Sequence, residues 1–475
     1  MVFASNSFLF LFLPVFFLAY WFAPASLRNT VILLFSWLFY AWWRADFLAL
    51  IVGIAVWSWT TGLWITRAQG TARKWALFVG IIGPLLSLIV FKYANLLVDT
   101  AGGVGVPVEG WVRIALPIGL SFFVFGAISY SVDVYRNTVS SEHSFINYAT
   151  YQSMFGHLVA GPVVRYKWVA ERLAQRIFDR TEFSLGVERF MLGFAQKVLL
   201  ADTLAPMVDA GYSLSAPTTL DVTLTVIAYT MQLYFDFAGY SSMAIGLGLM
   251  VGLKFPENFN NPYLATSLSD FWRRWHISLS SWLRDYLYIP LGGSRQGETR
   301  TSVNMLITMA LGGLWHGASW TFLVWGVWHG AGQAIARLWS NWRRSDTAPM
   351  PDATAKPRPV VALVASYLLT MLFVMVGWAL FRAGSWEEFA IIARGFGGMH
   401  GFDFSGAFLA AFRPSHILAL VLGAIVIYAP LFKYLKWQPW PDAALLKAAA
   451  AFPLWLAALW ILGQRNVIPF LYFQF

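Results

Sequence analysis

Residues 309–330 read MALGGLWHGASWTFLVWGVWHG. The run is apolar enough for a bilayer interior, yet it holds two histidines, His316 and His329, each inside a Trp-His-Gly triplet. The triplets lie 13 residues apart. On one α-helix that interval is about 1300°, roughly 220° past whole turns. The two imidazoles cannot share a face of one helix, so the stretch is read as two shorter helices with a glycine-rich break. An ionisable side chain within an apolar span is costly and marks a functional candidate. His316 has Gly312, Gly313 and Gly317 beside it, and glycine lets backbone or ligand come close. His329 has a similar setting; its ordinary reading is an imidazole that donates to a backbone carbonyl and fixes helix packing.

The rest of the chain agrees with a membrane setting. Of 475 residues, 58% are hydrophobic and 12% charged, against about 25% charged in soluble domains. This composition excludes a string of soluble domains and defines an all-α polytopic membrane protein. Cysteine is absent, which excludes disulfides and thiolate chemistry. The net charge of +10 is read as Lys and Arg retained on cytoplasmic loops, not as a nucleic-acid surface. The stretch Arg165, Lys167, Arg172, Arg176 and Arg180, with Tyr166 and Trp168 among them, fits that reading. The first apolar run, 8–23, lacks the positive flank of a cleaved signal and is read as a retained helix. Further apolar segments fall near 30–43, 47–65, 75–98, 114–134, 190–204, 220–253, 303–314, 320–338, 360–381, 416–432 and 448–462. A full crossing needs about 20 apolar residues, so about 10–13 membrane helices are expected, some short, tilted or re-entrant. They form one transmembrane domain over 1–475, with 340–359 as an aqueous linker.

Polar residues inside this apolar chain are few. Segment 267–290, SLSDFWRRWHISLSSWLRDYLYIP, opens on Ser267 with Asp270 three residues on, a shortened capping box. Leu268, Phe271, Trp272, Trp275, Leu279, Trp282, Leu283 and Tyr286 recur at helical spacing, which predicts one amphipathic helix at the interface or along a cavity. His276 falls on its aromatic face, as a packing residue or a direct participant. In 233–252, LYFDFAGYSSMAIGLGLMVG, Asp236 is the one acid, Tyr240 adds a hydroxyl, and Gly239, Gly246, Gly248 and Gly252 permit tight helix packing. A buried pairing with an arginine is the structural alternative for Asp236. The connectors ENFNNPY (257–263), which holds Asn258, and HLVAGP (157–162) read as cavity-lining irregular backbone or as interfacial loops.

The usual nucleophile and nucleotide motifs are missing. There is no Gly-x-Ser-x-Gly elbow, no phosphate-binding loop, no His-x4-Asp pair and no His-Glu-x-x-His zinc pair. What remains is a histidine base acting on a hydroxyl or thioester within the bilayer.

FWRRWHISLSSWLRDYLYIPLGG (271–293), GGLWHG (312–317) and WGVWHG (325–330) resemble the membrane-bound O-acyltransferase (MBOAT) family, closest to its bacterial alginate- and cellulose-acetylating branch. The opening MVFASNSFLFLFLP, AWWR (41–44), HLVAGP, LYFDFAGYSSMAIGLGLMVG and the final PFLYFQF agree, so the likeness covers nearly the whole chain. It implies the MBOAT fold, a helical membrane body with a tunnel or funnel to a buried histidine and a signature core at about 150–340. His316 matches the family histidine. His276, 40 residues earlier, matches a position where relatives carry Asn, Asp or His. The resemblance thus makes His316 and His276 catalytic, with His329, Asp236, Tyr240, Asn258, Trp272, Arg273 and Trp315 around the tunnel. It also implies acetyl-CoA as donor, no metal, a bacterial inner-membrane location, and as partners a periplasmic SGNH-type acetylase, polysaccharide export machinery and membrane lipid. Another acceptor (teichoic acid, lipid or other glycan) and a non-enzymatic transporter of an acylated carrier are the competing readings. Paired inverted halves, common in transporters, are not visible.

Overall fold

The structure is a computed structural model describing residues 2–159, 161–343, 359–431, 443–465 and 468–471. Among these residues every regular element is a helix. Four stretches are long and apolar enough to cross a membrane: Leu48–Arg67, Gly70–Gly103, Arg180–Tyr212 and Val360–Arg382. Shorter apolar helices occupy Phe8–Phe22, Ala25–Ala41, Leu120–Tyr135, Pro414–Tyr428 and Ala448–Gln464. Most of the expected linker, 344–358, lies outside the described residues, as do Ala160 of HLVAGP and the last four residues of the C-terminal motif.

The chain sorts into two compact units. One comprises residues 1–198, 237–257 and 444–475; the other comprises 199–236 and 258–443.

In the first unit, α1 (Leu48–Arg67) and α2 (Gly70–Leu88) turn about Gly70, whose φ of +57° suits glycine. Helix α3 (Leu120–Tyr135) packs on both, with Tyr130 over Gly62 and Ser131 over Gly80. Helix α4 (Arg180–Ala195) meets the second half of α5 (Thr219–Met250) at two reciprocal glycine crossings. A Cβ on Gly193 would lie 2.6 Å from the Gly239 carbonyl oxygen, and one on Gly186 would lie 2.7 Å from that of Gly246. Both pairs are seven residues apart, so the helices run antiparallel in close backbone contact, as the glycines of 233–252 predicted. Three cations of the basic stretch are engaged within the unit, while Lys167 and Arg180 are exposed. Arg172 pairs with Glu182 at 3.0 Å, Arg176 donates to the Val251 carbonyl at 2.7 Å, and Arg165 is buried against Trp168. These cations tie loops to helix ends inside the unit.

In the second unit, segment 267–290 is not one helix. Ser267 caps α6 (Leu268–Arg274), its Oγ accepting from Asp270 N at 3.2 Å. The chain then kinks, α7 (Ile277–Leu283) follows, and a π-helical turn covers Arg284–Tyr288. Helices α8 (Glu298–His316) and α9 (Trp320–Arg343) form an antiparallel hairpin broken at 317–319, the break expected between the two Trp-His-Gly triplets. Gly313 and Gly326 let these backbones touch: a Cβ on either would sit 2.2 Å from a carbonyl oxygen of the other helix. Helix α10 (Val360–Arg382) packs on α9, and Arg382 reaches Asp209 at 2.8 Å. Trp275, Trp325 and Trp378, all buried, form the centre of this unit, with Trp275 and Trp378 centred 4.8 Å apart.

Candidate active site

His316 is the last residue of α8; extended backbone follows at Gly317. Three aromatic rings surround its imidazole: Trp315 at 5.0 Å, Trp325 at 5.0 Å and Phe381 at 5.3 Å between centroids. On its open side lies a cavity of about 230 Å³. Thr308, Gly312 and His316 form one wall, four residues apart and therefore on one face of α8. Leu279 and Leu283 of α7 provide another wall, and Trp272 and Trp325 add rings. Arg284, Tyr288 and Gln333 supply polar groups to the lining. The indole N–H groups of Trp272 and Trp325 are buried with no hydrogen-bond partner among the described residues. The site is thus a mostly apolar chamber with one imidazole on its wall and two buried indole N–H groups beside it.

His276 stands behind this wall. It is fully buried, 5.9 Å from the Trp315 ring and 6.4 Å from the His316 ring, and it does not line the cavity. Its backbone is left-handed, φ 45° and ψ 53°, a conformation rare for residues other than glycine. The cause is Asn258. Its carbonyl accepts from Ile277 N at 3.0 Å. Its side-chain oxygen accepts from Ser278 Oγ at 2.8 Å and from Ser278 N at 3.3 Å. Asn260 N donates to the Arg274 carbonyl at 2.9 Å. Connector 258–260 therefore laces alongside 274–278 and holds the kink that replaces the expected continuous helix.

His329 is fully buried among aromatic rings, 4.9 Å from Trp325, 5.2 Å from Trp272 and 5.6 Å from Phe373. Neither ring nitrogen has a hydrogen-bond partner among the described residues, so no backbone carbonyl receives it there. Gly377 makes room for it: a Cβ at that position would lie 2.7 Å from Nε2. Trp325 separates His329 from His316.

The remaining expected residues divide. Trp272 lines the cavity, and Trp315 is buried against both His276 and His316. Arg273 does not line it: one position round α6 from Trp272, its side chain is 74% exposed and 3.8 Å from Asp270. Asp236 is buried on α5 in the same unit but is not on the cavity wall. Tyr240 belongs to the other unit, where it stacks between Phe3 and Phe470, each centred 4.6 Å away. Such a sandwich is a packing role. Sequence reasoning did not pick out Ser280, Tyr288, Thr308 or Gln333. The ladders 308–312–316 and 280–284–288, both in steps of four, were the available signal. Among the described residues no three His, Asp or Glu side chains gather as a metal site.

Comparison with known proteins gives this chamber a context. The sequence profile of the membrane-bound O-acyltransferase family matches residues 134–378, which include His276, His316 and His329. The protein described as "Probable alginate O-acetylase AlgI" from Azotobacter vinelandii is 42% identical over 518 aligned positions, covering 100% of both chains. The protein of the same description from Pseudomonas putida is 42% identical over 505 positions, again covering 100% of both. The "Peptidoglycan O-acetyltransferase" of Helicobacter pylori is 33% identical over 436 positions, covering 84% of this chain and 80% of the relative. The chain belongs to the membrane-bound O-acyltransferase family. It is a multi-pass membrane O-acyltransferase.

Proposed function

We propose that this enzyme takes acetyl groups from a cytoplasmic thioester, acetyl-CoA, and passes them across the bacterial inner membrane for O-acetylation of an exported polysaccharide such as alginate or cellulose. The observation that carries the reading is a buried His316 on the wall of a mostly apolar cavity in a chain similar over its full length to described alginate O-acetylases. The chemistry follows from the side chains. A neutral imidazole nitrogen of His316 takes the proton of an acceptor hydroxyl. The hydroxyl oxygen bonds to the thioester carbonyl carbon, the carbon–sulfur bond breaks, and the imidazolium returns the proton to the departing thiolate. A positioned base of this kind contributes about 10²–10⁴-fold. Trp325, whose N–H is buried without a partner among the described residues, is the candidate donor to the developing oxyanion. Asn258 and His276 act behind the wall, fixing the backbone that carries α7. A periplasmic SGNH-type acetylase and the export machinery complete delivery to the polymer.

The test is polymer acetyl content in a strain lacking the gene, complemented with wild type or with His316→Ala. Restoration by wild type alone, with both proteins equally abundant in the membrane, supports the reading. Full restoration by His316→Ala would show that the chemistry resides elsewhere.

A further inference from the structure

The hairpin of α8 and α9 is rich in glycine, and most of these glycines are explained by packing. A Cβ on Gly313 would lie 2.2 Å from the Phe322 carbonyl oxygen, and one on Gly326 2.2 Å from that of Met309. At Gly317 it would strike the Phe322 ring at 2.2 Å, and at Gly330 it would lie 3.1 Å from the Leu306 Cα. Gly312 differs. A Cβ there would meet a single atom within 4 Å, the Cδ1 of Leu283 at 3.1 Å, the free end of a side chain that itself lines the cavity. Its backbone is helical, so no unusual φ calls for glycine. Glycine is the poorest residue after proline in a helix interior. Backbone contact with α9 and backbone geometry thus give no reason for it. What the missing side chain leaves is room on the chamber wall beside the Leu283 Cδ1, one turn before His316.

We propose that Gly312 is the residue that sets how long an acyl group the chamber accepts. The inference rests on His316 as the base of thioester acyl transfer. With the carbonyl carbon at His316, the alkyl tail runs back along α8 into the slot between Gly312, Leu283 and Thr308. The Thr308 hydroxyl is tied to the Asn304 carbonyl at 2.7 Å, which leaves the slot apolar. The chamber's 230 Å³ is several times the roughly 30 Å³ share of one water, so acetyl does not fill it. The slot admits chains of three and four carbons, and a side chain at 312 would shorten it from the wall.

The experiment uses the full-length enzyme in nanodiscs, with acetyl-, propionyl- and butyryl-CoA as donors and His316→Ala as background. Wild type is expected to turn over all three. Gly312→Ala should lower the butyryl-to-acetyl ratio of kcat/KM by about 10-fold or more, the scale of one methylene in an apolar pocket. Gly312→Val should extend the loss to propionyl, and Leu283→Ala should move the ratio the other way. An unchanged ratio in folded Gly312→Ala, or a wild type confined to acetyl-CoA, overturns the slot alone. A wild type with no His316-dependent turnover of any thioester overturns the donor reading, and the slot with it.

Discussion

Replacing Gly313 with alanine should destabilise the protein, while the same change at its neighbour Gly312 should not. At 313 the added carbon would lie 2.2 Å from the Phe322 carbonyl oxygen and 3.0 Å from the Cα and N of Gly326. Relaxed C···O contacts are about 3.3–3.6 Å, so α8 and α9 would have to part by about 1 Å. Overpacking of this kind costs about 1–3 kcal/mol, and the upper end applies because every obstacle is backbone. Alanine returns about 1 kcal/mol of helix propensity, leaving a net loss of about 2 kcal/mol. At 312 the propensity gain is the same, and the one obstacle, Leu283 Cδ1, can rotate aside. The expected change there runs from zero to a gain of about 1 kcal/mol. The neighbours should therefore differ by about 2–3 kcal/mol. Denaturation by SDS in mixed micelles, followed by tryptophan fluorescence, reads this difference. Trp315, Trp325 and Trp328 sit on or beside the hairpin. Equal shifts in both variants would refute the assignment of Gly313 to backbone contact and of Gly312 to contact with one yielding side-chain end.

Other consequences are sharper at the site. His316→Ala should lower acyl transfer by about 10²–10⁴-fold with no loss of membrane-inserted protein, measured as thiol release from acetyl-CoA. Trp325→Phe keeps the ring beside His316 but removes the N–H; a fall in kcat of about 10²-fold with little change in KM is expected, and an unchanged kcat removes the oxyanion role. Asn258→Ala deletes the buried acceptor of two hydrogen bonds from Ser278. It should cost about 1–3 kcal/mol in the same SDS titration, whereas Asn258→Asp, which still accepts, should recover most of that loss.

Different parts of this architecture were legible to different degrees. The break after His316 followed from helical phase and glycine, and the cap at Ser267 from its spacing to Asp270. The role of Gly239 and Gly246 followed from their place in an apolar run, because helix contact is a local, periodic property. The kink at His276 was not legible. Local periodicity favours one helix across 268–288, and the bonds that overrule it come from Asn258, some twenty residues earlier. Tyr240 had the composition of a site residue, but its neighbours Phe3 and Phe470 come from the two ends of the chain. The chamber was half visible. Its α8 wall is a single four-residue ladder, whereas Gln333 joins it only through the pairing of α8 with α9.

The left-handed backbone at position 276 also constrains which sequences this fold can tolerate. Among residues with a side chain, Asn, Asp and His enter that region most readily, and β-branched residues scarcely at all. Those three are the residues that the family resemblance associates with this position. In this structure the first demand on position 276 is a torsion angle. An asparagine at 276 preserves the turn, and with it the placement of α7 against the chamber, whereas valine or isoleucine breaks the turn even though either would suit a buried apolar neighbourhood. What the placement of α7 requires of position 276 is this backbone geometry, which an apolar β-branched side chain does not supply.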